Sequence, residues 1–132
     1  MADPNLVSAL LQVVQRLPGV RLALLFGSAA KGSLGPESDI DLALLCQGPL
    51  TAEQRMKVIG DVAECTGRAV DLVDLATVGE PLLGQILTHG QRLCGSDSEH
   101  AALIHRHWLD AADFLPYAQR IVDSRRAAWT DR

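Results

Sequence analysis

Two apolar runs, each meeting polar chemistry at one end, constrain this chain more than any other feature. Leu22 to Phe26 is unbroken hydrophobic sequence that stops at Gly27-Ser28, and ten residues later Asp39 and Asp41 open a second run, Ile40 to Leu45. Short apolar runs bounded by turn residues read as inner strands. Residues two apart on a strand share a face. Asp39 and Asp41 therefore project together, while Ile40, Leu42 and Leu44 point the other way into a core. Two adjacent carboxylates repel one another and favour a bound cation. Gly27 lets the backbone approach a ligand closely, and Ser28 offers a hydroxyl and an N–H to a phosphate. A phosphate holder beside a magnesium-type carboxylate pair points to nucleoside triphosphate chemistry.

The rest of the composition bounds the setting. A length of 132 residues predicts one domain, 1–132, large enough to bury its core without staples. With 48% apolar and 21% charged residues the chain is not a disordered one. A net charge of −4 argues against a broad basic face for nucleic acid, so no direct nucleic-acid partner is expected. Cys46, Cys65 and Cys94 are widely spaced and lack a CxxC pattern, which reads as small hydrophobes in a reducing cytosol. The N-terminus has no basic stretch, Asp3-Pro4 comes too early for a signal peptide, and no apolar run reaches membrane-spanning length. The expectation is a cytoplasmic protein without a membrane partner.

In chain order, Asp3 caps a helix with Pro4 at its first position, Leu6, Leu10, Val13, Val14 and Leu17 recur at helical spacing, and Pro18-Gly19 ends it. Arg21 to Phe26 is the first strand. Ala29 to Gly32 begins a short helix whose N-terminus points at Gly27-Ser28, favourable to phosphate. After a turn at Leu34 to Glu37, Asp39 to Leu45 is the second strand. Thr51 and Gln54 form a capping box for a helix reaching about Cys65, with Met56, Ile59, Val62 and Ala63 as its apolar positions. Ala69 to Leu75 is a third strand carrying Asp71 and Asp74. Pro81 to Thr88 is helical, with Leu82, Leu83, Ile86 and Leu87 as core, and Gln91 to Cys94 is an edge strand. From Ser96 the pattern is helical again. Ile104, Trp108, Ala111, Leu115, Ala118 and Val122 form a seam, by default a face that covers the sheet. Trp108, Phe114, Tyr117 and Trp129 make this tail the most aromatic stretch, a surface for a partner or for self-association.

Phe26-Gly27-Ser28-Ala29-Ala30-Lys31-Gly32 followed by Ser38-Asp39-Ile40-Asp41-Leu42 resembles the signature of the DNA polymerase beta-like nucleotidyltransferases, in particular the minimal nucleotidyltransferase branch. The resemblance runs from about Val20 to Leu93. It implies an α/β (α+β) fold, a small mixed sheet of about four strands with helices packed on one face, a catalytic core at about 20–95, and here a helical tail at about 96–130. It implies magnesium, one or two ions, with ATP as substrate. Asp39 and Asp41 supply two ligands, and a third carboxylate is needed from the next strand, ~4.8 Å away. Asp71 and Asp74 are the candidates. Asp71 is chosen, because Ala69-Val70-Asp71-Leu72-Val73 resembles the family's third-carboxylate strand; its role would be metal ligand and base. Gly27, Ser28 and Lys31 would bind the nucleotide. Relatives often carry two basic residues in this loop, and this chain has Ala29 at the first position.

The tail and the chain's size resemble the antitoxin half of HEPN/MNT toxin–antitoxin pairs. That resemblance implies AMP transfer from ATP to a tyrosine hydroxyl on a HEPN-family toxin, silencing its RNase activity. Two alternatives stand beside it. One is an antitoxin that acts by binding alone. The other is a small-molecule nucleotidyltransferase of the aminoglycoside-modifying kind, which would need a second domain or a second subunit to build its acceptor pocket. The histidines contribute little to any of these readings: His105 and His107 are two apart on a helix and do not face each other, and His89 and His100 read as solvated.

Overall fold

A computed structural model describes residues 1–112 of the chain. Its frame is a four-stranded sheet in the order β3-β2-β1-β4, made of β1 (Leu22–Phe26), β2 (Ile40–Leu45), β3 (Val70–Asp74) and β4 (Gln91–Gly95). The sheet is mixed. β1 runs antiparallel to both β2 and β4, whereas β2 and β3 are parallel. The parallel step needs a crossover, which the helix α3 (Ala52–Thr66) supplies. The central position of β1 explains its lack of polar residues: Leu22 to Leu25 are all buried.

Alternation along the strands sorts the core into two layers. Ala23, Leu25, Ile40, Leu42 and Leu44 pack against α1 (Pro4–Arg16) and α3, through Leu10, Val13, Val14, Val58 and Val62. Leu22, Leu24 and Ala43 point to the opposite face, where they meet Leu83 and Ile86 of α4 (Leu82–His89) and Leu103. Residues 97–112 are helical and are called α5 here. The mixed sheet and the helical layer of α1 and α3 are as the sequence implied. The second layer is an addition: α4 and α5 cover part of the face expected to carry only the acids, because Leu22, Leu24 and Ala43 are apolar on that side too.

The local signals act as expected at most boundaries. Asp3 accepts a hydrogen bond from the Asn5 N–H and Pro4 opens α1. Thr51 and Gln54 form the reciprocal capping box of α3, which ends at Gly67 in the left-handed conformation. Apolar identity misled within the helices. Of the positions expected to be apolar in α3, Val62 is buried whereas Met56, Ile59 and Ala63 are exposed, and Val58 joins Val62 in the buried stripe. Leu82 is exposed while Leu83 and Ile86 are buried. In α5 it is Leu103 that enters the core, and Trp108 is 69% exposed, so the seam drawn through Trp108 does not cover the sheet. Phe114, Tyr117 and Trp129 lie outside the described residues.

Candidate active site

The site grows from the ends of β1, β2 and β3 on one edge of the sheet. β1 ends at Phe26, whose partner across the ladder is Asp41. Directly on the other side of Asp41, in the parallel register, stands Asp71. Residues directly paired in adjacent strands project to the same face. The Asp41 and Asp71 side chains accordingly stand side by side at this edge of the sheet.

The consequence is electrostatic. Burial raises the Asp41 carboxyl above the usual aspartate range, and the charges of Asp71 and then Asp39 push it further the same way. Asp39 lies just before β2 and is exposed. Both neighbours act on Asp41 through charge, Asp71 more strongly than Asp39. Among the described residues no three acidic, histidine or cysteine side chains close into a ready-made ligand set. None of these three acids forms an ion pair among the described residues. The cluster carries repulsion that only a cation or a proton relieves.

Gly27 begins α2 (Gly27–Lys31) with φ of 66°, and a Cβ placed on it would overlap Asp41 Oδ2. The turn from strand to helix needs a glycine for both reasons, conformation and space. Ser28 follows on the same turn and is half-buried. Lys31 is exposed at the far end of α2, where it borders a hollow shared with Gly27. The six nominated residues are thus in two groups: Asp39, Asp41 and Asp71 on the strands, and Gly27, Ser28 and Lys31 on the turn and helix beside them.

Asp74 is a different kind of acid. It is 5% exposed, and its carboxylate accepts from the Leu50 N–H at 2.8 Å and the Ala76 N–H at 2.9 Å. It ties the loop before α3 to the end of β3, and faces away from Asp41 because it lies three residues beyond Asp71 on a strand of period two.

Sequence reasoning missed Arg68. Its Nη1 donates to the Gly35 carbonyl at 2.6 Å and to the Ser38 carbonyl at 3.1 Å. The guanidinium thereby fixes the turn that delivers Asp39. Two fork nitrogens of Arg106 likewise hold the Leu75 and Val78 carbonyls, and His107 Nδ1 meets Glu80 Oε1 at 2.5 Å, so α5 is anchored to the loop after β3. None of these contacts has a local signal, since each joins residues at least 27 positions apart. Cys46, Cys65 and Cys94 are free thiols, and burial pushes the Cys46 and Cys94 thiols up, away from reactivity. A separate cavity of about 400 Å³, lined in part by Leu6, Leu34 and Arg68, contains none of the six nominated residues.

The molecule is thus an α/β domain in which a mixed sheet sets a glycine-serine turn against strand-borne carboxylates. The description "Polymerase beta, Nucleotidyltransferase" fits residues 9–99, and the chain belongs to that family. A Shewanella oneidensis protein, protein adenylyltransferase MntA, is 34% identical over 83 residues, which are 63% of this chain and 60% of that relative. The chain thus spans about 60% of the length of this curated relative. A chain from a crystal structure of a toxin–antitoxin with AMP-PNP superposes with a TM-score of 0.80 at 26% identity, covering 91% of this chain and 98% of that one. A second structural relative comes from a complex of tri-AMPylated Shewanella oneidensis HEPN toxin with MNT antitoxin. It has a TM-score of 0.74 at 24% identity, covers 92% of this chain and 96% of that one, and shows likeness of fold.

Among the described residues no helix is long and apolar enough to cross a membrane.

Proposed function

We propose that this protein is a magnesium-dependent nucleotidyltransferase that moves AMP from ATP to a tyrosine hydroxyl of a HEPN-family partner, silencing it as the antitoxin of a toxin–antitoxin pair. The observation that carries the reading is Asp41 pressed between Gly27 and Asp71, an acid pair built against a turn that can hold phosphate. Support for a protein acceptor is the name of the Shewanella relative, and support for ATP is the AMP-PNP in the structure of like fold. The HEPN partner follows from the sequence resemblance and from the toxin named in the second complex. The proposed catalytic core is about 20–95 within a single domain, 1–132. The proposed location is the cytoplasm, which suits three free thiols.

The donor set fits a small hard cation. All its atoms are carboxylate oxygens, and burial together with the charges of Asp71 and Asp39 raises Asp41's proton affinity, as a carboxylate without a cationic partner shows. Asp39, Asp41 and Asp71 would hold it. One or two magnesium ions bound there would offset charge on the attacking and leaving oxygens.

The chain's own groups do the rest. The backbone at Gly27 and the Ser28 hydroxyl position the triphosphate, and the Lys31 ammonium offsets its charge. Asp71, exposed at the open side of the pair, takes the proton from the tyrosine hydroxyl. The phenolic oxygen bonds to the α-phosphorus as the bond to the bridging oxygen breaks, and pyrophosphate departs in line. Arg68 holds Asp39 in register by fixing the Ser38 carbonyl.

The test is transfer of label. With ATP labelled at the α-phosphate, magnesium and the purified partner, label should appear on the partner. Asp39→Asn should abolish it, and Ser28→Ala should slow it more gently, since one hydroxyl contact is lost rather than a metal ligand. Label that stays on nucleotide throughout would overturn the proposal.

A further inference from the structure

We propose that the hollow between α2 and α4 holds the terminal phosphates of the nucleotide, with Gln85 and His89 joining Lys31 as donors. This rests on the nucleotidyltransferase reading and extends it to residues that the motif does not contain.

The hollow measures about 270 Å³ and is lined by Phe26, Gly27, Lys31, Leu82, Gln85 and His89. It begins at Gly27, the residue that abuts Asp41. It also lies on the acids' side of the sheet. Phe26 is paired with Asp41, and α4 packs on that same face through Leu83 and Ile86. Asp41 is one strand spacing, ~4.8 Å, from the end of β1. A triphosphate reacting at the acids and passing over Gly27 enters this hollow with its far end.

The side chains suit such an end. Leu82, Gln85 and His89 are spaced by three and four, so they form one stripe of α4. The stripe that enters the core is the neighbouring one, of Leu83 and Ile86. Among the described residues, neither the Gln85 amide nor the His89 ring has a hydrogen-bond partner, and both are exposed to the hollow. The polar lining consists of an ammonium, an amide and an imidazole, each able to donate, and no carboxylate contributes. A hollow with one ammonium, two further groups able to donate and no carboxylate, beside three acids, suits an anion held apart from those acids. α2 cannot supply this alone: Ala29 and Ala30 are buried and carry no donor, which leaves Ser28 and Lys31.

Titration calorimetry of the full chain with ATP and with AMP, both in magnesium, separates the terminal phosphates from the rest of the nucleotide. Gln85→Ala and His89→Ala should each weaken ATP binding about three- to tenfold, the worth of one net hydrogen bond, and the double variant should weaken it more. AMP affinity should stay within about twofold, since AMP lacks the phosphates held here. His89→Gln, which keeps a donor, should recover most of the ATP affinity. Inorganic pyrophosphate should compete with ATP less well in the variants than in the wild type. Both side chains are exposed, so thermal melts should be unchanged. Unaltered ATP affinity in the double variant would overturn the inference while leaving AMP transfer by the wild type intact. Equal loss for AMP and ATP would overturn it as well, because the hollow would then hold the base or sugar. Failure of the wild type to bind ATP at all would instead remove the underlying reading and this inference with it.

Discussion

Gly27 and Asp41 are packed so closely that any side chain at position 27 would displace the Asp41 carboxylate. The glycine also sits at φ of 66°, where a Cβ costs ~1–2 kcal/mol. Gly27→Ala should therefore lower the melting temperature and cut transfer by more than ~100-fold, the usual effect of an ångström-scale misplacement of a reacting group. Rates and melts of the same preparation check this. An alanine variant with wild-type rate would mean that the contact with Asp41 has no part in the chemistry.

Asp71 and Asp74, three residues apart, should separate cleanly. Asp74→Ala strips the Leu50 and Ala76 N–H groups of their acceptor in a buried site, and unsatisfied groups of this kind cost ~1–3 kcal/mol each. Asp71→Asn touches an exposed side chain and should leave the urea midpoint nearly unchanged while abolishing label transfer. The opposite pattern, an active Asp71→Asn protein or a fully stable Asp74→Ala protein, would exchange the two roles.

The pH dependence follows from the direction of the Asp41 shift. Burial and the charges of Asp71 and Asp39 raise its folded-state pKa, so the folded state binds the proton more tightly than the unfolded chain does. The stability gained from that proton is complete below the ordinary aspartate pKa and is lost as pH rises through the raised folded value. Without magnesium, Asp41→Asn should thus melt higher than wild type at neutral pH, with the gap closing in acid. Added magnesium should narrow the gap at neutral pH by stabilising the wild type alone. A variant that melts lower at neutral pH without magnesium would show that the carboxylate is structural.

Trp108 and Leu109 lie on the outer side of α5, 69% and 58% exposed. With Ala101, Ile104 and His105 they line an apolar hollow. Trp108→Ala should change stability by no more than ~0.5 kcal/mol, as exposed substitutions usually do. Partner affinity or self-association should fall about tenfold or more, since exposed tryptophans dominate such surfaces. Calorimetry with the partner, together with the oligomeric state of the protein alone, decides whether this face is an interface.

The parts of the fold that the sequence reveals are those fixed by short-range rules. The caps at Asp3 and Thr51, the stop at Gly67 and the apolar strands at Leu22 and Ile40 each depend on a few neighbouring residues. Strand period puts Asp71 and Asp74 on opposite faces, and the register sets Asp71 opposite Asp41, but the preference for Asp71 comes from the family resemblance of its strand. Helix faces were harder. Val58, not Met56, is buried, and Leu103, not Trp108, because the rotation of a helix about its axis is set by the sheet it meets. The contacts of Arg68 and the hollow that Gln85 and His89 share with Lys31 were invisible for the same reason: each depends on an element distant in the chain. His89 read as solvated and is exposed, and only the packing of α4 near α2 sets it on the same hollow as Lys31.

The most direct test of AMP transfer is the intact mass of the proposed HEPN partner after incubation with this protein, ATP and magnesium. The account predicts one or more AMP-sized increments on the partner, located on tyrosine by fragmentation. It predicts none when Asp41→Asn replaces the wild type and none when magnesium is chelated. A partner whose activity is neutralised while its mass stays unchanged would contradict the account, since the protein would then act by contact alone.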